Sequence, residues 1–172
     1  MKAPRISIVI PVYNEARIVR DAAMELTAKL DEREYDYELI FAENGSRDRT
    51  VEILTELAKE HRRVRFLQTG KPNYGQALKA GIEQARGRYV FCDEIDLCDV
   101  DFYTRALTIL DAGEADMVIG SKRAPGSEDK RPAYRRLATY CHNKVLQVAL
   151  GFPGTDTHGL KAFVRERVAP TA

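Results

Sequence analysis

Apolar and polar residues fall in alternating blocks along this chain. A β-branched apolar run occurs at 5–10 (RISIVI), and further strand candidates at 37–42 (YELIFA), 63–67 (RVRFL), 89–92 (YVFC), 115–119 (ADMVI) and 158–164 (HGLKAFV). A continuous run like the first predicts a strand buried on both faces of a sheet. Between them lie stretches with helical spacing at 16–33, 48–59, 74–85, 101–110 and 134–150; in the first, Ile18, Ala22, Leu26 and Leu30 recur every fourth residue. Turn residues separate the blocks: Pro11, Asn44-Gly45-Ser46, Gly70 with Pro72, and Gly120. Asp48 is placed to cap the second helix, and Asp99 or Asp101 the fourth.

Strands separated by helices of this length predict right-handed βαβ units in an α/β fold, three layers (α/β/α) around a mostly parallel central sheet. Ligands of such sheets bind beyond the carboxyl ends of the strands. That rule directs attention to 11–15, 43–48, 71–75, 93–99 and 120–123. Two nucleotide signatures are missing there: no GxGxxG follows the first strand, and no GxxxxGK precedes a Ser or Thr.

Composition narrows the picture. A length of 172 residues fits one domain. The 27 Lys and Arg balance 26 Asp and Glu, so no global field draws the protein to nucleic acid, and local charge must carry any anion chemistry. The three cysteines, Cys92, Cys98 and Cys141, form no CxxC pair and read as reduced thiols rather than a disulfide framework or zinc site. The longest uncharged apolar run, 6–13, contains Ser7 and Pro11 and falls far short of the roughly 20 residues that span a bilayer. With no apolar leader at its start, the sequence predicts a cytoplasmic protein.

Among the strand ends, Tyr13 offers a ring for a base and Glu15 an acceptor for a ribose or base, while Asn14 can instead cap the next helix. Glu43 can accept N–H donors from a nucleobase edge, or serve only the turn that follows it. The densest chemistry is Asp93-Glu94-Ile95-Asp96-Leu97-Cys98-Asp99-Val100-Asp101, five carboxylates in nine residues. Such a cluster repels itself unless a cation sits among it. Oxygen ligands of this type suit Mg²⁺ or Mn²⁺, which in turn bridge phosphates. Six basic residues between Lys122 and Arg136 (Lys122, Arg123, Lys130, Arg131, Arg135, Arg136) suit a phosphorylated partner. Near a membrane they would attract anionic headgroups by about 1 kcal/mol each. Tyr134 and Tyr140 nearby form no RNA-binding aromatic motif.

As an ordered set, SIVIPVYNE, ENGSRDRT, NYGQALKAGIEQARGRYVF and the acidic pair resemble the family-2 glycosyltransferases, which have the nucleotide-diphospho-sugar transferase (GT-A) fold. GSKRAPG and DTHGLKAF look most like the branch making polyprenyl-phosphate sugars, such as dolichyl-phosphate mannose or glucose synthases. The resemblance implies a metal-dependent, inverting transfer of a sugar from a GDP-mannose or UDP-glucose type of donor to an acceptor, a polyprenyl phosphate. The alternatives are a family member with a hydroxyl acceptor or a sugar-nucleotide-binding module without turnover. Pro11, Tyr13 and Glu15 match the segment lining the nucleotide pocket, Glu43 the position of a base-contacting Asp, and Asn73 and Gly75 a segment near the nucleotide. Glu94 lies seven residues after Gly87, so Glu94-Ile95-Asp96 matches the family's Asp-x-Asp metal motif, with Mg or Mn as the cofactor. Lys122 matches a basic residue near the donor phosphates, and Arg123, Arg131 and His158 are assigned to the acceptor. Asp156 is the candidate base should the acceptor be a hydroxyl, with Asp96 and Lys122 completing the catalytic set.

The chain departs from the family at several points. Glutamates stand at 43 and 94 where aspartates are expected, and Asp93 is an extra acid that could itself be the metal ligand. Cys98 takes the place of a third ligand that Asp99 could supply. The resemblance implies one catalytic domain over 1–172, lacking the C-terminal part that family members carry. A lipid acceptor further implies a peripheral position on the cytoplasmic membrane face or a membrane-protein partner.

Overall fold

The fold is seen in a computed structural model that describes residues 3–120 and 160–168. The chain divides into two compact units, one of 1–118 with 161–172 and one of 119–160. Only the two ends of the second unit are described. The helix expected at 134–150, with Cys141 and His142, therefore lies outside the described residues, as do Lys122, Arg123, Arg131, Asp156 and His158.

Strands and helices alternate in the first unit: β1 (Ile6–Val12), α1 (Val19–Glu32), β2 (Tyr37–Glu43), α2 (Thr50–Glu60), β3 (Val64–Gln68), α3 (Tyr74–Gln84), β4 (Tyr89–Cys92), α4 (Val100–Asp111), β5 (Met117–Ile119), β6 (Lys161–Val164) and the short α5 (Arg165–Val168). The sheet order is β3-β2-β1-β4-β6-β5. β1 pairs in parallel with β2 and β4, and β2 with β3, whereas β6 runs antiparallel to β4. The sheet is thus mostly parallel, as the sequence predicts. The reversed strand is β6, which comes from far along the chain, lies between β4 and β5 and runs antiparallel to β4.

β2 is buried along its whole length, and β1 along all but Pro11. Alternate residues of these strands feed two separate apolar layers. Val9, Ile40, Ala42, Val90 and Cys92 pack with Ala77, Leu78 and Ile82 of α3. On the other side the rings of Phe91, Phe102 and Tyr103 join β4 to α4, with Phe91 and Tyr103 centroids 4.8 Å apart. Gly81 sets how closely α3 lies on the sheet: a Cβ there would fall 2.3 Å from Cγ1 of Val9.

The core face of α1 differs from the expected one. Val19, Ala23, Leu26 and Leu30 are buried, while Ile18 is 40% exposed. A spacing of four drifts off one face of a 3.6-residue helix, and the 19-23-26-30 pattern stays on it.

A buried polar node fixes the start of β4. The Ser7 hydroxyl donates to Oε1 of Glu38 at 2.6 Å and accepts from the Gly87 amide at 2.8 Å. The Arg86 amide donates to the same Glu38 oxygen at 2.8 Å, and the Arg86 and Arg65 guanidiniums reach Oε2 at 2.7 and 2.9 Å. Burial works against the charged form of Glu38, but hydrogen bonds from Arg86, Ser7 and Arg65 outweigh it and hold the carboxyl below its usual range.

Glu38→Gln is therefore expected to destabilise the protein by about 1–3 kcal/mol at pH 7, the cost of weakening a charged buried network. A depressed carboxyl pKa contributes stability above the unfolded value, and that contribution is lost as pH falls through the folded one. The gap between wild type and Glu38→Gln should narrow below about pH 4.5. Urea unfolding of both proteins at pH 7 and pH 3.5 checks this; an equal gap at both pH values would refute it.

Candidate active site

The chain runs from β1 to β2 to β3 on one side and then crosses to β4 on the other. The crevice between the carboxyl ends of β1 and β4 is the switch point where such sheets bind ligands. The loops there are built largely from short polar side chains.

Asn14 does not cap α1. It adopts a left-handed backbone (φ 56°), a conformation asparagine tolerates better than most residues. Its amide donates to the Ser46 hydroxyl at 2.9 Å, and its Oδ1 accepts from the Arg47 amide at 2.8 Å. The next two amides follow suit: Glu15 donates to the Thr50 hydroxyl at 2.9 Å and Ala16 to Asp48 at 3.1 Å. The loops after β1 and β2 are thereby fastened together. α1 starts at Val19, after Ile18, with no side-chain cap. Asp48 accepts from the Thr50 amide and hydroxyl at 3.0 and 2.5 Å, although Arg49 occupies the N-cap position of α2. Burial opposes the Asp48 charge, but the Thr50 and Ala16 donors outweigh it and lower its pKa.

Glu43 is 2% exposed, and its carboxyl accepts from the Ser46 amide. The neighbouring Asn44 is also buried; its amide donates to the Val12 carbonyl at 3.0 Å and its Oδ1 accepts from the Asn73 amide at 2.5 Å. Asn73 in turn caps α3, accepting from the Gln76 amide at 3.1 Å. Gly45, at φ +77°, lets Lys71 and Pro72 pass close by: a Cβ would meet Cδ of Pro72 at 3.1 Å. Tyr74 and Gly75 then form the exposed first turn of α3.

The acidic segment after β4 separates into inward and outward groups. Asp93 is 2% exposed and turned into the core. Its Oδ2 accepts from the Tyr103 hydroxyl, and its Oδ1 from the Glu94 amide at 2.7 Å. Burial pushes its pKa up to about 6, against the lowering effect of those donors. Asp99 caps α4, accepting from the Phe102 amide at 2.9 Å, and pairs with Arg105 at 3.8 Å. The Cys98 thiol is pushed up to about 12 by burial, which keeps it a neutral thiol at neutral pH. Glu94 is half-buried and Asp96 exposed, and these two remain on the open side of the turn.

Two electrostatic couplings show what faces Glu94 and Asp96. The Glu15 pKa is raised first by burial and then by the charges of Asp96 and Asp48. The Tyr74 hydroxyl is raised first by burial and then by the charges of Glu94, Cys92 and Asp93. Tyr13, Glu15, Glu43, Asn73, Gly75, Glu94 and Asp96 thus share one edge of the sheet. Sequence reasoning missed Asn44, Tyr74 and Tyr103; only Asn44, inside a turn motif, carried a local signal. Among the described residues no three His, Cys, Asp or Glu side chains gather closely enough to enclose a metal. Glu94 and Asp96 supply two hard oxygen donors beside an open face, a set suited to a cation that takes its other ligands from phosphate and water.

The profile of the glycosyl transferase family 2 matches residues 7–169. The chain belongs to that family. It is 31% identical over 166 residues to the glycosyltransferase AglD of Haloferax volcanii, covering 94% of this chain and 27% of the relative. It is 38% identical over 94 residues to the undecaprenyl-phosphate 4-deoxy-4-formamido-L-arabinose transferase of Pseudomonas fluorescens, covering 54% of this chain and 28% of the relative. The fold is that of GT-A glycosyltransferases. One structural neighbour is glucosyl-3-phosphoglycerate synthase from Mycobacterium tuberculosis, solved with Mn²⁺, UDP and phosphoglyceric acid; it has a TM-score of 0.65 and 20% identity, covering 95% of this chain and 56% of that one. The family-2 chain described here thus spans little more than a quarter of the two curated relatives' lengths.

Asn14→Ala is expected to lower stability by about 1–2 kcal/mol, combining a lost hydrogen bond with left-handed strain. Asn14→Gly should recover roughly half, because glycine removes only the strain. Thermal melting of the three proteins checks the order; equal melting of the alanine and glycine variants would exclude the strain.

Proposed function

We propose that this family-2 chain transfers a sugar from a nucleotide-diphosphate sugar, with a divalent cation, Mg²⁺ or Mn²⁺, held by Glu94 and Asp96. The observation carrying this reading is the pair Glu94 and Asp96 just beyond β4 at the switch point, half-buried and exposed while the neighbouring Asp93 is turned into the core. Tyr13 and Glu15 are the residues proposed for the nucleotide side of the crevice, with Asn73 and Gly75 at the start of α3; Glu43, buried and bonded to the Ser46 amide, supports the turn beneath them rather than reaching a base.

A cation bound there supplies positive charge to the donor diphosphate as it departs. The acceptor attacks the anomeric carbon from the face opposite the leaving group; a new C–O bond forms as the bond to the diphosphate breaks, and the configuration inverts. On sequence grounds Lys122 adds further charge to the leaving group, and Arg123, Arg131 and His158 receive the acceptor. The preferred acceptor is a polyprenyl phosphate, in keeping with the name of the Pseudomonas fluorescens relative. Such a phosphate is already anionic at neutral pH and needs no strong base. A hydroxyl acceptor would need one, and Asp156 is assigned that role. Among the described residues no helix is long and apolar enough to cross a membrane. On sequence grounds, the basic segment from Lys122 to Arg136 is proposed to approach a lipid headgroup layer.

Thermal melting with UDP- and GDP-sugars, each with and without Mn²⁺, tests the donor site. A ligand at 100 times its Kd adds about 2.7 kcal/mol, a shift of roughly 5–10 °C at this size. One donor should produce that shift only with Mn²⁺, and Asp96→Asn should abolish it while leaving the ligand-free melting point within about 2 °C. A cooperatively melting wild type that shifts with no donor would sink the proposal.

A further inference from the structure

Asp93, the first acid of the 93–101 cluster, is 2% exposed and is not on the open face with Glu94 and Asp96. Its own amide is the last rung of the β1–β4 ladder, donating to the Val9 carbonyl at 3.0 Å. From there the carboxyl turns inward and meets α4. Tyr103, the fourth residue of α4, is fully buried, seated against Phe91, and donates its hydroxyl to Oδ2 of Asp93. The other oxygen, Oδ1, accepts from the Glu94 amide at 2.7 Å. The Cys98 amide at the far end of the turn donates to the Glu94 carbonyl at 3.4 Å.

The Asp93 carboxyl therefore holds the first residue of the turn 94–98, and the turn closes on that same residue through the Glu94 carbonyl. The turn needs such a fastening. Cys98 lies at φ 43°, an unfavourable conformation for a non-glycine residue, and the chain must enter α4 directly afterwards through the Asp99 cap. Glu94 and Asp96 project from within the turn, so their carboxyl positions follow from how its two ends are held.

We propose that Asp93 is a positioning residue of the donor site: its carboxyl, anchored by Tyr103, fixes the start of the 94–98 turn and aims Glu94 and Asp96 at the donor diphosphate. This rests on the reading of Glu94 and Asp96 as the cation-holding pair. Outer-shell partners of this kind typically change metal affinity by 10- to 100-fold when removed. The Tyr103 anchor assigns Asp93 a different role from that of a ligand. A ligand must point outward and loses its charge toward the cation when replaced by an amide, whereas an anchor needs only an acceptor for the Glu94 N–H group.

The experiment measures UDP and GDP binding by calorimetry, with and without Mn²⁺, and melting temperature, for the wild type, Asp93→Leu, Asp93→Asn, Tyr103→Phe and Asp96→Asn. Asp93→Leu and Tyr103→Phe should weaken Mn²⁺-dependent nucleotide binding roughly 10-fold or more, with a much smaller effect on binding without Mn²⁺. Asp93→Asn keeps an acceptor for the Glu94 amide and should stay within about threefold of wild type. If Asp93→Asn is as damaging as Asp96→Asn, Asp93 is itself a ligand and the proposal is wrong. If Asp93→Leu and Tyr103→Phe lower the melting temperature but leave the Mn²⁺ dependence intact, the role is structural only and the proposal is again overturned. Loss of Mn²⁺-dependent binding in Asp96→Asn alone would keep the donor site while rejecting the anchor. A wild type that binds neither nucleotide with Mn²⁺ would reject both.

Discussion

Backbone amides and carbonyls beyond the end of a strand still need partners, yet a ligand site cannot be covered by more strand or helix. That constraint governs the carboxyl edge of this sheet. The solution is a set of short polar side chains acting as substitute backbone. Asn14, Ser46, Asp48 and Thr50 join the loops after β1 and β2, while Asn44 and Asn73 join β2 to the start of α3. Each side chain satisfies a main-chain amide, so the loops are held without a hydrophobic plug and the crevice between β1 and β4 remains open. The close seat of α3 on the sheet at Gly81 is the matching apolar condition. A bulkier residue there would lift α3, and with it Asn73 and Tyr74.

β4 is short, four residues, and it is fixed by polar contacts at both of its ends. Before it, Glu38 and Ser7 receive the Arg86 and Gly87 amides. After it, Asp93 receives the Glu94 amide. Both acids are buried, but their environments differ. Glu38 has two guanidiniums against it and its pKa lies below the ordinary range, whereas the Asp93 pKa is raised to about 6 by burial. The Glu38 node favours the charged form and strengthens the fold at neutral pH. At Asp93 the charge is disfavoured, so its stabilising contribution must come from the Glu94 amide and the Tyr103 hydroxyl it engages.

The strands were legible because fully buried parallel strands need continuous apolar runs, and 5–10, 37–42 and 89–92 leave few other readings. Where the reading differed, local propensity met a long-range partner. Asn14 before a helix is an ordinary cap signal, but Ser46 and Arg47 offer it partners 32 and 33 residues away. The face of α1 was misplaced by one position because Ile18 is apolar, although it precedes the helix and lies on the surface. The antiparallel β6 left no mark in its own sequence, since strand direction is decided by the route of the chain. The acidic cluster was recognised as a unit, but its division was not. Nothing in the order Asp93-Glu94-Ile95-Asp96 says which acid turns inward; that depends on Tyr103, ten residues on.

That division bears on how glutamates can stand where this family's resemblance leads one to expect aspartates. A longer arm reaches further but is held less firmly, because an additional bond is free to rotate. At Glu43 the extra length is taken up by a bond to the Ser46 amide in a buried turn. At Glu94 the side chain stays half-exposed, and firmness must come from the backbone beneath it. The 94–98 turn has that support: Asp93 from the sheet, Tyr103 from α4 and the Asp99 cap converge on it. On the proposed reading of Glu94 as a cation-holding residue, a longer carboxylate on a tightened turn can keep its oxygens within reach of the same point as a shorter one on a looser turn. The extra acid and the longer acid are then best understood together, as one local rearrangement of the site.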